Sequence, residues 1–392
     1  MELKGLWGGG LNEGRKNSCS YYLTSKKFCV LPQTTWIKGS SFEMTQKSQE
    51  NILVVGPAWV GDMVMAQSLF MCLKEQYPDC RISVLAPDWT RPLLERMLEV
   101  EKGISLGVGH GELRLGMRRA LGRSLRGEQF TTAIVLPNSF KSALIPFYAG
   151  IKKRIAWKGE WRNLLLSDCR SLDKNAFPLM VQRFAALAYP RSNEPPDRIP
   201  EPRLQSDPQS VADALVAFNL EVQDRILAIC PGAEFGVAKQ WPAEHFVATC
   251  KTKIDEGWQV WIFGSEKDAE VADEILQMLA EEQRQKCVSL AGKTSLAQAI
   301  DLLSVAEVVV SNDSGLMHIA AALDKPVVAL YGSTSPDFTP PLSRKSKLLF
   351  TDIDCRPCFQ RECPLEHKRC LTELEPSRVV AAITELTPAA RN

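Results

Sequence analysis

The sequence has no apolar run approaching the roughly 18–20 residues that a membrane-crossing helix needs, which excludes an integral helical membrane enzyme. Its first twenty residues, MELKGLWGGGLNEGRKNSCS, lack the apolar core of a secretory leader. The chain is therefore expected in the cytoplasm, where most of its 12 cysteines would be reduced thiols or metal ligands instead of disulfides. Charge of one sign is also missing: 47 Lys and Arg stand against 46 Asp and Glu. That balance gives no sign of a nucleic-acid partner, and none is expected. The spacing GxGxxG after a strand is absent as well, so a dinucleotide-dependent oxidoreductase loses its main support.

What is present is the length and composition of a soluble enzyme. The 392 residues suffice for two domains, and 45% are hydrophobic. Residues 1–50 are rich in Gly, Ser and Lys without periodicity and read as a disordered tail, with Met44 as an alternative start. From Asn51 the pattern changes. Buried-strand runs at 52–55, 82–86 and 132–136 alternate with helical patterns, including one from Met63 to Leu73 and one from Leu93 to Val100. After a Pro-rich stretch, a second series has runs at 225–230, 259–263, 307–310 and 326–330. Strands alternating with helices imply βαβ units and parallel sheets. The organisation expected is a tail (1–50), a Rossmann-like acceptor-side domain (51–189), a Pro-rich linker (190–208), a Rossmann-like donor domain (209–375) and a last helix (376–392). Ligands of such sheets bind beyond the carboxyl ends of the strands, so both sets of ends should face one cleft.

Three strand-to-helix junctions carry candidate chemistry. In Gly56-Pro57-Ala58-Trp59-Val60-Gly61-Asp62 a tight loop enters a helix, and Asp62 is either a helix cap or a reacting carboxylate. In the loop from Cys230 to Pro242 a single lysine, Lys239, precedes an aromatic–proline helix start. Such a lysine meets a diphosphate as a point charge, or is merely solvated. In Ser311-Asn312-Asp313-Ser314-Gly315-Leu316-Met317-His318 the amides of Ser314, Gly315 and Leu316 would lie at the positive end of a helix, which suits phosphate. Asp313 would repel phosphate and suits a sugar hydroxyl. His318 is a ligand contact or a satisfied helix histidine.

Together the segments NILVVGPAWVGDMVMAQSLF, LAPDWTRPLLERM, VLPNSFKSALIPFYAGI, CPGAEFGVAKQWP, FGSEKD, SNDSGLMHIAAALDKPVVALYG and STSPDFTPPLS resemble glycosyltransferase family 9, the ADP-heptose:lipopolysaccharide heptosyltransferases. They run in the family's order from about residue 51 to about 343. The resemblance implies a GT-B fold: two Rossmann-like α/β domains whose parallel sheets face a central cleft. It implies inverting transfer of L-glycero-D-manno-heptose from ADP-heptose, without a required cofactor or catalytic metal, onto the first heptose of the Kdo–lipid A inner core. That acceptor would be met at the cytoplasmic face of the inner membrane, with the enzyme peripheral to it. It further implies Asp62 as general base and Lys239 on the donor phosphate. Asp313 would hold the heptose, Ser314, Gly315 and His318 the diphosphate, and Asp268 the nucleoside. The last helix would cross back onto the first domain. Transfer of a first or third heptose, or epimerisation of a nucleotide sugar on the same fold, are the alternatives.

Two further features stand outside the junctions. Basic residues cluster at Arg114, Arg118, Arg119, Arg123 and Arg126, at Lys141, and at Lys152, Lys153, Arg154, Lys158 and Arg162. Arg118, Arg119 and Lys141 are the candidates for the anionic acceptor, against the alternative of solvated faces. Cys355, Cys358, Cys363 and Cys370 with His367 fall within one short span. Structural zinc is possible there but packed thiols are favoured, because the CxxC spacing does not repeat.

Overall fold

The computed structural model describes residues 49–107 and 112–388, so the tail at 1–50, with Met44, lies outside the described residues apart from Gln49 and Glu50. Among the described residues, twelve strands form two sheets of six. The first contains β1 (Asn51–Val55), β2 (Arg81–Ala86), β3 (Lys102–Ser105), β4 (Thr132–Val135), β5 (Lys153–Trp157) and β6 (Asp168–Arg170), in the order β3-β2-β1-β4-β5-β6. The second contains β7 (Ile226–Cys230), β8 (Gln259–Ile262), β9 (Cys287–Ser289), β10 (Val308–Asn312), β11 (Val327–Leu330) and β12 (Ser346–Leu349), in the order β12-β11-β10-β7-β8-β9. Every pairing is parallel. Both sheets therefore bury both faces under helices, and their central strands carry continuous apolar runs.

Side-chain alternation assigns those runs to separate cores. In β1, Leu53 and Val55 pack with Ala133 and Val135 on one face, while Ile52 and Val54 pack with Ile82 and Ile134 on the other. In the second sheet, Leu227, Ile229, Val308 and Val310 share one core. Ala228, Cys230 and Val309 face the other way, into the same cluster as Ile52 and Val54. That shared cluster runs between the sheets through helices α1 (Val60–Gln76), α2 (Leu296–Leu303) and α3 (Gly315–Ala322). Burying each Leu, Val or Ile is worth about 1.5–3 kcal/mol, so the two halves are held in one apolar body. A partly buried ion pair crosses between them too, Arg96 Nη2 to Asp301 Oδ2 at 2.6 Å.

The Pro-rich stretch has no helix or strand between Ala188 and Pro208, but it is not a free tether. Ser68 Oγ donates to the Pro200 carbonyl at 2.6 Å, the Gln67 amide side chain exchanges two hydrogen bonds with the Arg203 backbone, and Leu204 N donates to Ala322 O at 2.9 Å. The connection is thus stitched to α1 on one side and to the end of α3 on the other.

Two expectations are corrected. Leu93–Val100 is not one helix: a four-residue helix ends at Leu94 and turns follow. The final helix, α4 (Pro376–Leu386), does not pack back on the first sheet; Val379, Ala382 and Ile383 enter the core of the second. Its apolar stripe fits the groove beside the helix Ala243–Asp255, so the return to the first half is made by α1 against α3 instead.

Candidate active site

A cleft of about 940 Å³ is lined from both halves by the loops that follow β1, β7, β8 and β10. Asp62, Lys239, Asp268, Asp313, Ser314, Gly315 and His318 all line it, residues drawn from four sequence segments. This is where open parallel sheets present their carboxyl ends.

The loop after β1 enters α1 at Val60, with Trp59 as N-cap but no side-chain capping hydrogen bond. Asp62 sits in the first turn of α1, is half-buried, and neither caps the helix nor accepts a hydrogen bond from any of the described residues. Burial pushes its carboxyl up to about 6, with Asp313 adding to the rise and Lys239 opposing it. An uncommitted carboxylate with a raised pKa is a stronger base than a solvated one and is still mostly ionised at neutral pH.

Two glycines bring the starts of α1 and α3 into contact. A Cβ on Gly315 would lie 2.8 Å from the Val60 side chain, and one on Gly61 would lie 2.7 Å from His318 Cδ2. Any larger side chain at either position would part the two helix ends. The first amides of each helix have no intrahelical acceptor. Their partial positive charge at one wall of the cleft suits an anion. Ser314 is the N-cap of α3, with its hydroxyl 3.1 Å from that of Ser311. His318 is buried, and that burial pulls it down to about 4. It can donate a hydrogen bond into the cleft but brings no positive charge.

Lys239 and Asp313 are 74 residues apart in the chain and form one unit. Lys239 Nζ donates to Asp313 Oδ2 at 2.5 Å and to the Asp313 carbonyl at 3.3 Å, and Thr334 Oγ1 donates to the same carboxylate oxygen at 2.7 Å. The ammonium also lies 5.0 Å from the Phe235 ring centroid. The sequence suggested separate roles for the lysine and the aspartate. In the structure the lysine balances the aspartate, and one of its three N–H groups is left for a ligand. Asp268 lines the cleft near Gly232 and Gly264, where any Cβ would collide with its carboxyl. Its Oδ2 accepts from the Ser265 amide and hydroxyl, both at 2.8 Å, so only the other oxygen is uncommitted.

Sequence reasoning missed Asn312. It is fully buried, accepts from Trp241 N at 3.2 Å and donates to the Pro231 carbonyl at 2.6 Å. It thereby ties the end of β10 to both ends of the Lys239 loop. A polar residue that closes a buried strand was the available signal. Thr334, in the STSPD segment, was quoted for resemblance but given no role.

The acceptor candidates separate. Arg118 is corrected: it is buried, and its guanidinium donates to the carbonyls of Leu113, Glu112 and Lys141. Arg162 is likewise sealed, donating to Trp157 O at 2.7 Å and Ser142 Oγ at 3.0 Å. Both guanidiniums turn inward to satisfy backbone carbonyls. Arg119 is exposed and Lys141 half-buried, and neither lines the cleft. The charge runs divide because a helix after a parallel strand starts at the carboxyl edge of the sheet and ends at the amino edge. Arg114 is the N-cap of the helix Leu115–Ser124 and Arg119 lies midway along it, whereas Arg123 and Arg126 lie at its far end and Lys152 and Lys153 at the start of β5.

Cys355, Cys358, Cys363 and Cys370 gather with His367 around a separate small cavity. Burial and the neighbouring thiols raise Cys370 above the usual thiol range. Among the described residues no group of His, Cys, Asp or Glu is disposed to hold a metal ion. The segment braces the donor side: Ala238 N donates to Arg361 O at 3.0 Å, Phe359 N to Ser333 O at 2.7 Å, and Arg356 to the carbonyls of Gly332 and Thr334.

A family model described as glycosyltransferase family 9 (heptosyltransferase) matches residues 118–369. Lipopolysaccharide heptosyltransferase 2 of Salmonella typhimurium is 47% identical over 340 residues, covering 86% of this chain and 98% of that protein. Lipooligosaccharide heptosyltransferase 2 of Haemophilus influenzae is 51% identical over 306 residues, covering 76% and 88%. The solved structure of the ADP-heptose lipopolysaccharide heptosyltransferase II of Escherichia coli superposes with a TM-score of 0.78 at 46% identity, covering 86% of this chain and 98% of that one.

Proposed function

The chain belongs to glycosyltransferase family 9, with the GT-B fold, and from that premise we propose that it transfers L-glycero-D-manno-heptose from ADP-heptose to the first heptose of the lipopolysaccharide inner core. The observation that carries the choice of acceptor is the 47% identity to a heptosyltransferase 2 over 98% of that protein's length. Membership of a transferase family leaves the epimerase alternative without support.

The geometry supplies a route. The acceptor hydroxyl lies against Asp62, which takes its proton as the oxygen attacks the anomeric carbon of the donor. The bond from that carbon to the ADP oxygen breaks on the opposite face, so the configuration inverts. Charge developing on the diphosphate meets the amides at the start of α3 and the remaining Lys239 N–H. His318 contributes a neutral hydrogen bond, Asp313 orients heptose hydroxyls, and Asp268 faces the nucleoside. Each of these groups is this chain's own, and the reaction as read needs no catalytic metal. The acceptor in this reading is lipid-anchored, so the enzyme would work as a peripheral protein at the cytoplasmic membrane face; no helix among the described residues is long and apolar enough to cross a membrane. The test is to follow ADP-heptose by NMR with and without heptosylated inner-core acceptor. Transfer with inversion, and no change in donor alone, is expected. Acceptor-independent conversion of the sugar, or retention of configuration, would overturn the reading.

A further inference from the structure

Four neighbouring strands of the first sheet, in the order β2-β1-β4-β5, each end in a loop that exposes an aromatic side chain. These are Trp89 (46% exposed), Trp59 (42%), Phe140 (36%) and Trp161 (96%), with Leu164 (94%) beside the last. All five follow the carboxyl ends of their strands, so they form a row along the edge that also carries Asp62. The loops are tied to one another. Trp89 Nε1 donates to Ala58 O at 2.9 Å, Glu160 N donates to Asn138 O at 3.1 Å, and the Glu160 carboxylate accepts from Phe140 N at 2.9 Å.

The far end of the row is built to project. Arg162 is fully buried between Trp161 and Leu164 and donates to Trp157 O, Ser142 Oγ, Asn138 Oδ1 and Pro137 O. Gly159 lets the loop run against Asn138, whose carbonyl a Cβ would strike at 2.2 Å. A guanidinium pinned on the inside holds two large apolar side chains out in water, where leaving each unburied forgoes roughly 1.5–3 kcal/mol. Such an arrangement needs something apolar to meet. Lys141 and exposed Lys158 flank it, against Glu160, whose carboxylate is engaged with a backbone amide. Trp with adjacent Lys is the composition of an interface between water and an anionic lipid surface.

We propose that this row, led by Trp161 and Leu164, is the surface by which the protein docks on an anionic bilayer, setting the Asp62 edge of the cleft over the membrane plane. The inference rests on the reading of a lipid-anchored acceptor, yet its test does not need the acceptor. The full chain is sedimented with phosphatidylethanolamine–phosphatidylglycerol vesicles that contain no acceptor, alongside a Trp161→Ser/Leu164→Ser double variant and Lys158→Glu. Wild type should bind. The double variant should bind at least about tenfold more weakly, as expected when two large apolar side chains are removed from a lipid interface, and Lys158→Glu should weaken binding to a smaller degree. With a deacylated, water-soluble acceptor the double variant should turn over like wild type, and with vesicle-borne acceptor it should fall behind. Wild type that ignores these vesicles, or a double variant that binds them as well as wild type, overturns the proposal. Failure of wild type to use the soluble acceptor would instead strike the functional reading and leave the docking result standing.

Discussion

Replacing Asp62 by Asn separates its chemistry from its structural role. The amide keeps the side chain's size but cannot take a proton. Loss of a positioned base lowers kcat by about 10²- to 10⁴-fold. Stability should move the other way. The folded chain holds this proton with a pKa of about 6, against 3.8 for an ordinary Asp. The protonated carboxyl therefore favours folding below about pH 4, and that contribution is lost as the pH rises through 6. The difference corresponds to about 3 kcal/mol at most. Asp62→Asn removes the penalty, so its stability should exceed wild type at pH 7.5 and match it near pH 4. Wild-type activity should rise with pH around an apparent pKa near 6, and the residual activity of the variant should lack that step. Steady-state kinetics from pH 5 to 8 and urea unfolding at pH 4 and pH 7.5 measure these effects. Near-normal turnover, or a variant less stable than wild type at pH 7.5, would refute the reasoning.

Lys239→Ala should weaken ADP-heptose use roughly 10- to 100-fold, from the 1.5–3 kcal/mol of a charge-assisted hydrogen bond, and should lower the melting temperature by stranding the buried Asp313 carboxylate. Unchanged donor kinetics would remove it from the phosphate site. Arg162→Ala should destabilise by about 3 kcal/mol, because a fully buried side chain and its hydrogen bonds to Trp157 O, Asn138 Oδ1 and Ser142 Oγ are lost together. Arg119→Glu should raise the acceptor KM and leave the melting temperature alone; thermal melts with acceptor kinetics distinguish the two. For the cysteine segment we expect four titratable thiols and no bound metal in the purified protein. About one equivalent of zinc, with a chelator lowering the melting temperature, would reverse that assignment. Transfer should persist in the presence of chelator.

The interior of both sheets was legible because parallel strands covered on two faces must be apolar throughout. The runs at β1, β2, β4, β7, β8, β10 and β11 are of that kind. The four edge strands, β3, β6, β9 and β12, passed unread. They are short and pair on one side only, and segments such as Lys102–Ser105 and Asp168–Arg170 show no continuous apolar pattern. β5 was hidden by its own charges, since Lys153 and Arg154 open a strand whose other residues are buried. At the site, the junction residues were visible as Gly- and Asp-bearing turns after strands. Their pairing was not: the Lys239–Asp313–Thr334 contact joins loops far apart in sequence, which the side-by-side strands β7, β10 and β11 bring together. Arg118 and Arg162 misled for a related reason. A charge run reads as surface, and nothing local announces that two of its members turn inward to satisfy carbonyls.

The acceptor is the part of the functional reading that one measurement decides. The protein is incubated with ADP-heptose and two otherwise identical Kdo–lipid A acceptors, one carrying the first heptose and one without it, and ADP release and acceptor mass are followed together. The account predicts one added heptose, with one ADP per acceptor, on the heptosylated molecule and none on the other. Transfer to the acceptor that lacks heptose, or no transfer to either, would contradict it.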